Sequence, residues 1–413
     1  MRYLFVHQNF PGQFKFLAPA LARMGHSVVG MKLGNVRETS WAGVQLLGYR
    51  VKRGSATAIH PWAADFESKV IRGEACFRAA LDLKAQGFSP DVIVAHPGWG
   101  ESLFVKDAWP KSRLGLYCEW HYSLHGKDVG FDPEFPVDDA GEVARLRLKN
   151  VNNILHFEVA DGGLSPTQWQ ADTFPPAFRD KITVVHDGID TTVVAPNPGA
   201  RLRVPRADGE LLLTRQREVI TFVNRHLEPH RGYHIFMRAL PKLLKERKEA
   251  QVLIVGGSGA GYGLHAPNGK TWRDIYAEEV RLKIAEADWA RVHFLGNIAY
   301  DSFLRLLQVS TVHVYLTYPF VLSWSLLEAM SAGCAIVASD TPPVREVIRH
   351  DDTGRLVDFF DASALSHEVI RLLEDPTTRT RLGYNARHFA IGRFDRKSVC
   401  LPQQLGWVDR LSG

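Results

Sequence analysis

Two arginines six positions apart, Arg225 and Arg231, stand in a segment (223–232) that follows an apolar run and leads into a helical pattern. Guanidinium groups stay charged at any working pH and offer several donors. They suit a diphosphate, including the charge it gains as a leaving group. A second segment, 318–330, places Glu328 three positions after Ser325. That is capping-box spacing, in which the carboxylate satisfies a backbone donor. The same carboxylate, one turn into a helix, could instead accept both hydroxyls of a ribose, with the amides of Val321, Leu322 and Ser323 turned towards phosphates. A third segment, 7–14, runs His-Gln-Asn-Phe-Pro-Gly-Gln-Phe from a strand into a helix, and Gly12 there would let a ligand approach the backbone. His96, and the pair Glu119 and His121, also end strand candidates.

Other chemistries fit less well. The chain has no Asp-x-Asp triplet and no metal-spaced ligand set, so no metal is expected to hold the diphosphate. Residues 263–271 end in Gly-Lys-Thr, but a phosphate-binding P-loop needs glycine where Leu264 stands. The glycines of 256–263 miss the dinucleotide pattern at Tyr262 or Leu264, and this segment reads as a flexible loop beside the diphosphate site. Cys76, Cys118, Cys334 and Cys400 lie too far apart for a zinc site or a disulfide ladder, and reduced thiols are expected. The net charge of +5 is dispersed along the chain; it suits an anionic small molecule and falls short of a nucleic-acid signature. The chain opens on a strand with no leader pattern, and no run reaches the ~18 apolar residues of a membrane span. A cytoplasmic location is expected, compatible with peripheral contact at the inner face of the membrane.

The elements that must position these groups alternate along 413 residues, a length that suggests two domains. Apolar runs without polar alternation fall at 3–7, 27–31, 92–95, 114–118, 163–165 and 182–185. A second series falls at 219–223, 252–255, 292–295, 312–316, 335–338 and 356–357. Such runs indicate strands covered on both faces, hence parallel sheets flanked by helices. Helical periodicity marks 13–24, 66–85, 233–247 and 363–373. The expected fold is α/β, two doubly wound Rossmann-like domains facing across a cleft, with residues 1–190 first, a linker at 191–217 containing a small hairpin, and residues 218–394 second.

The order and spacing of these motifs resemble the retaining glycosyltransferases of family four, which have the two-domain GT-B fold. Residues 7–28 resemble the family's opening strand, glycine loop and first helix. Residues 186–190 (His-Asp-Gly-Ile-Asp) resemble the segment before its linker. Residues 223–233 resemble its diphosphate motif, with Arg231 where lysine is usual, and 326–340 resemble the end of its E-x7-E motif. The resemblance implies that Arg225 and Arg231 hold the donor diphosphate, Glu328 the ribose, and that Gly12 lies under the phosphates. It makes His96, Glu119 and His121 the candidate catalytic residues, in contact with the transferred sugar or the acceptor. It also implies that the last helix, 395–413, packs back on the first domain. Phe320 is a departure, for it occupies the position of the motif's first glutamate, usually placed beside the transferred sugar.

The expected function is therefore transfer of a sugar, with retention and without metal, from a nucleotide-diphosphate sugar to a glycan or lipid-linked acceptor, in polysaccharide or glycoconjugate synthesis. The nucleotide-sugar is a substrate, and no separate cofactor is expected. The alternatives are a non-catalytic nucleotide-sugar-binding protein, motivated by Phe320, and another GT-B enzyme such as an epimerase.

Overall fold

Apolar runs become central strands only if helices cover both sides, and the computed structural model, which describes residues 1–137, 139–206, 209–259 and 261–413, builds this twice. One unit comprises Met1–Gly188 and Arg396–Gly413; the other comprises Ile189–Asp395. The first unit has strands β1 (Arg2–Val6), β2 (Ser27–Leu33), β3 (Ser40–Trp41), β4 (Val44–Tyr49), β5 (Val92–Ala95), β6 (Arg113–Tyr117), β7 (Gly162–Ser165) and β8 (Ile182–Val184). Their order is β3-β4-β2-β1-β5-β6-β7-β8, parallel except for β3 against β4. Alternate residues of β1 serve opposite cores: Leu4 and Val6 pack with Cys76 and Ala80, while Tyr3 and Phe5 pack with Leu17 and Leu21. Burial on both faces explains why no polar alternation is visible.

The C-terminal helix Leu401–Ser412 completes the second of these cores through Trp407, Val408 and Leu411. It lies so close to the sheet that a Cβ on Gly115 would come within 2.5 Å of Leu411 Cδ1. Glycine at 115 is therefore a packing requirement rather than a turn signal.

The second unit opens with a hairpin, β9 (Arg201–Arg206) against β10 (Gly209–Thr214). The segment 191–217 is not a free linker. Leu202, Val204 and Leu213 alternate inward and join a core with Val219, Phe303 and Leu307, while Arg201 and Arg203 face out. Thr191 Oγ1 donates to Asp395 Oδ2 at 2.5 Å, tying the start of the segment to the same unit. Residues 207–208, at the expected hairpin turn, lie outside the described residues.

The main sheet follows with β11 (Val219–His226), β12 (Gln251–Gly257), β13 (Val292–Gly296), β14 (Val312–Tyr315), β15 (Ala335–Ser339) and β16 (Arg355–Val357). All are parallel, in the order β13-β12-β11-β14-β15-β16. The chain reverses direction of winding between β1 and β5 in one unit and between β11 and β14 in the other. Open α/β sheets bind ligands beyond the carboxyl ends of the strands flanking such a reversal. His7 and His96 follow β1 and β5; Arg225 and the 318–330 segment end or follow β11 and β14. Among the described residues no helix is long and apolar enough to cross a membrane.

Five buried histidines give the fold an acid limit. Burial pushes His7 and His186 down to about 3, and His156, His293 and His313 down to about 4. They stay neutral in the fold, whereas the unfolded chain protonates them below about pH 6.5. Their contribution is present above that pH and is lost as pH falls towards 3–4, at up to about 1.4 kcal/mol per unit for each group. Glu101, Glu228 and Asp128, raised by burial, act in the opposite sense. With the histidines in the majority, the urea midpoint should be clearly lower at pH 5 than at pH 7; an equal or higher midpoint would contradict it.

Candidate active site

In the second unit, strand β11 carries a register irregularity between Val223 and His226, and this places Arg225 on a bulge at the strand's carboxyl end. Its side chain is exposed and makes no hydrogen bond or ion pair among the described residues. An unpaired guanidinium at a ligand-binding edge is available to an anion.

Arg231 is the opposite case, only 6% exposed. The turn Pro229–Arg231 ends at Gly232, with φ +67°, where a Cβ would meet Leu316 Cβ at 2.3 Å. The Arg231 Nη1 donates to Thr317 Oγ1 (2.8 Å) and to the carbonyl of Val321 (3.0 Å). Its guanidinium lies 5.5 Å from the Tyr262 ring centre and 5.7 Å from that of Phe320. Nε and Nη2 meet no acceptor among the described residues. The side chain is thus locked in plane with donors in reserve, an arrangement lysine could not reproduce.

Phe320 is 3% exposed and packs edge-on to His230 at 4.9 Å, with Tyr262 5.0 Å away. It acts as a wall for Arg231.

The glycine-rich segment is anchored rather than simply flexible. The amides of Tyr262 and Gly263 donate to Glu228 Oε2 at 2.9 and 3.1 Å, which holds the Tyr262 ring against Arg231. Ala260 lies outside the described residues. A Cβ on Gly261 would fall 1.9 Å from Glu228 Oε1, so the latch requires glycine there. Burial raises the Glu228 carboxyl, and the two amides and Arg231 oppose that rise. Glu228→Ala should release the loop and weaken nucleotide binding about tenfold, roughly 1.5 kcal/mol, the low end for losing a hydrogen bond to a charged group. Titration calorimetry checks this, and undiminished affinity would remove Glu228 from the site.

The helix Trp324–Ser331 starts differently from the capping-box reading. Its N-cap is Ser323, whose hydroxyl accepts from the amide of Ser325 (3.3 Å). Glu328 is therefore not the reciprocal partner of Ser325; it accepts from Tyr300 Oη at 2.7 Å and is half-buried. The Ser323 amide donates to Tyr315 Oη (3.0 Å), so it is already occupied. Val321 and Leu322 present amides without an acceptor among the described residues. Ser323 thus shapes the loop rather than offering its amide to a ligand.

The first unit gathers a polar chain at the carboxyl ends of β1, β5 and β6. The amide of Asn9 donates to His7 Nδ1 (2.9 Å), which leaves the ring proton on Nε2, shared with Gln13 Oε1 at 2.7 Å. Gln13 Nε2 in turn donates to Glu119 Oε1 (3.2 Å). On the other oxygen, His96 Nε2 lies 3.3 Å from Glu119 Oε2, an ion-pair distance at which the ring is poorly aligned for a hydrogen bond. Burial raises the Glu119 carboxyl, but His96 and the hydrogen bond from Gln13 outweigh it and hold the group below the usual carboxylate range. Its side chain remains 32% exposed, an ionised acid with one side open.

Gly12, with φ +47°, belongs to this chain of contacts: a Cβ there would sit 2.3 Å from His7 Nε2. Trp99 and Tyr117 both stack on His96, at 4.5 and 5.6 Å, and Tyr117 Oη donates to Asp187 Oδ2 (2.9 Å). His121 is not part of the group. Its amide donates to Thr173 Oγ1, its ring packs 5.9 Å from Phe174, and burial with Lys127 lowers it to about 4. His7, Gln13 and Glu228 join these groups without being singled out by the sequence. The signal for His7 was its place directly before the glycine turn; Glu228 had none beyond its position between the two arginines.

Comparison with known proteins agrees with this architecture. Residues 24–194 match the model described as "Glycosyl transferase family 4 group", and residues 206–389 match "Glycosyl transferases group 1". A phosphatidyl-myo-inositol mannosyltransferase of Mycolicibacterium smegmatis is 32% identical over 225 residues, 53% of this chain and 48% of that protein. The same organism's GDP-mannose-dependent alpha-(1-6)-phosphatidylinositol monomannoside mannosyltransferase is 28% identical over 282 residues, 65% of this chain and 64% of that one. The chain thus spans about half to two thirds of the length of these relatives. The crystal structure of Anabaena HepE in complex with UDP superposes with a TM-score of 0.68 at 16% identity, over 99% of this chain and 100% of that one. The chain thus has the two-unit GT-B fold, with glycosyltransferase family matches along both units.

Proposed function

We propose that the protein transfers a sugar from a nucleotide-diphosphate sugar to a hydroxyl of a glycan or lipid-linked acceptor, with retention and without a bound metal. The observation that carries this reading is Arg225, exposed and unpaired at the carboxyl end of β11, in the same unit edge as the locked Arg231 and the open amides of Val321 and Leu322. These groups supply cationic and dipolar stabilisation where negative charge develops on a departing diphosphate. Glu328, oriented by Tyr300, is proposed to hold the ribose.

In the proposed step the bond from the anomeric carbon to the donor phosphate breaks, and the acceptor oxygen bonds to that carbon on the same face. The acceptor proton passes to the departing phosphate oxygen. The protein supplies position and charge rather than a nucleophile. The ionised Glu119, held by Gln13 and flanked by His96, is proposed to hold sugar or acceptor hydroxyls, a task Phe320 cannot perform. The relatives named for phosphatidylinositol support a lipid-linked acceptor.

The binding-protein reading draws on the apolar side chain of Phe320 and makes a different forecast. Incubating the protein with its donor and an alcohol acceptor, and reading the product's anomeric signals by NMR, separates the two. An unchanged anomeric configuration is expected. Inverted product would overturn retention, and nucleotide binding with no product at all would favour a binder.

A further inference from the structure

The second unit has a cavity at the edge of its sheet opposite the arginine loop. Ser310 and Thr311 precede β14 and Gly333 precedes β15, so the cavity opens at the amino ends of these strands. It measures about 290 Å³ and is lined by three arginines, Arg215, Arg379 and Arg387, with Tyr384 at its rim and no acidic side chain.

Each arginine is placed by the fold, and two of them are fixed. Arg387 donates through Nη2 to the carbonyl of Thr191 (3.2 Å) and through Nη1 to those of Val194 (3.2 Å) and Ser331. All its partners are neutral carbonyls, and burial lowers its pKa. Arg379 donates to the carbonyls of Leu372 and Leu373, each at 2.8 Å. The acids near Arg379 are committed elsewhere: Glu218 to Arg247 and Asp375 to the amide of Thr378. Arg215 is exposed and makes no hydrogen bond or ion pair among the described residues.

The floor between them is bare backbone by design of the sequence. Gly333 has φ +74°, and a Cβ on Gly383 would strike the Gly333 carbonyl oxygen at 2.4 Å. Two glycines therefore bring the helix Pro376–Phe394 onto the turn before β15 and leave the cavity open above it.

Three guanidinium groups converge there without a counter-charge from the cavity wall. Like charges repel, and a protein that gathers them in one concavity gains from a bound anion. Guanidinium forks match phosphate oxygens. The volume is near the lower end of small-molecule sites, roughly 300–1,000 Å³, which suits a phosphate carrying a few further atoms. We propose that this cavity is a second anion site, for a small phosphomonoester, separate from the donor site at the opposite end of the same sheet.

Titration calorimetry with inorganic phosphate and with glycerol 3-phosphate tests it, with glycerol as the uncharged control. The variants are Arg215→Glu, which alters an exposed and unbonded side chain, and Arg225→Ala. Saturable binding of the phosphate compounds but not of glycerol is expected, reduced at least tenfold by Arg215→Glu and unaffected by Arg225→Ala. A saturating nucleoside diphosphate should leave that binding in place. Absent binding, binding indifferent to Arg215→Glu, or binding lost in Arg225→Ala or on adding the nucleoside diphosphate would overturn the proposal. Because the readout is phosphate binding, its failure leaves the transferase reading to its own test.

Discussion

Arg225→Ala should lower donor turnover by about 10²–10³-fold, some 3–4 kcal/mol of transition-state stabilisation, while leaving the fold unchanged. Both halves of this expectation follow from the position of the side chain. The guanidinium is exposed and bonded to nothing among the described residues, so its removal opens no cavity and strands no partner. Surface changes of that kind alter stability by about 0.5 kcal/mol or less. Arg231→Ala is a poorer probe, because Arg231 also ties Thr317 to the Val321 carbonyl and packs on two rings. Steady-state kinetics beside a thermal melt distinguish the cases: activity lost with an unmoved melt supports a donor contact, and near-normal activity removes Arg225 from the diphosphate site.

Glu119→Gln should cut kcat/KM by roughly 10–150-fold, the equivalent of about 1.5–3 kcal/mol for losing a charged hydrogen-bond acceptor. The substitution keeps the shape of the side chain and changes what faces it. Gln13 Nε2 donates to Glu119 Oε1, and Gln13 Oε1 is already engaged by the His7 ring proton. A glutamine at 119 keeps one acceptor for Gln13 but turns an amide N–H towards His96. The affinity for nucleoside diphosphate should not change, since the groups assigned to it lie in the other unit. Equal loss of nucleotide affinity would show that the substitution disturbs more than the polar chain, and unaltered kcat/KM would take Glu119 out of the reaction.

Much of the framework was legible because burial on both faces writes a strand as an unbroken apolar run. Residues 92–95 and 219–223 read correctly for that reason, as β5 and as the start of β11. Strands β3 and β4 were not legible: Val44–Tyr49 reads Val-Gln-Leu-Leu-Gly-Tyr, with four of its six residues not fully buried, and is shielded from the sheet's edge only by the two-residue β3. The hairpin's Leu202 and Val204 alternate with arginines, a pattern visible in the sequence, but its attachment to the second core depends on Phe303 and Leu307, a hundred residues on.

The site divides in the same way. Arg225, Arg231 and Glu328 sit within local strand–loop–helix segments, where order along the chain announces the edge they occupy. The Gln13–Glu119 hydrogen bond joins positions 106 apart, and the Glu228 latch joins residues 34 and 35 apart. No local spacing encodes such pairs. Ser323 and Ser325 show a finer limit, for a shift of two positions in the helix cap freed Glu328 from the capping role its spacing suggested.

The most direct test of a nucleotide-sugar site in the second unit is a calorimetric panel of UDP-, GDP- and ADP-sugars on the full chain and on Arg225→Ala. The donor that binds would then be assayed for nucleoside diphosphate release with an acceptor. One nucleotide class should bind the wild type, bind Arg225→Ala at least tenfold more weakly, and be turned over. No binding by any member of the panel, or binding that Arg225→Ala leaves intact, would contradict the assignment.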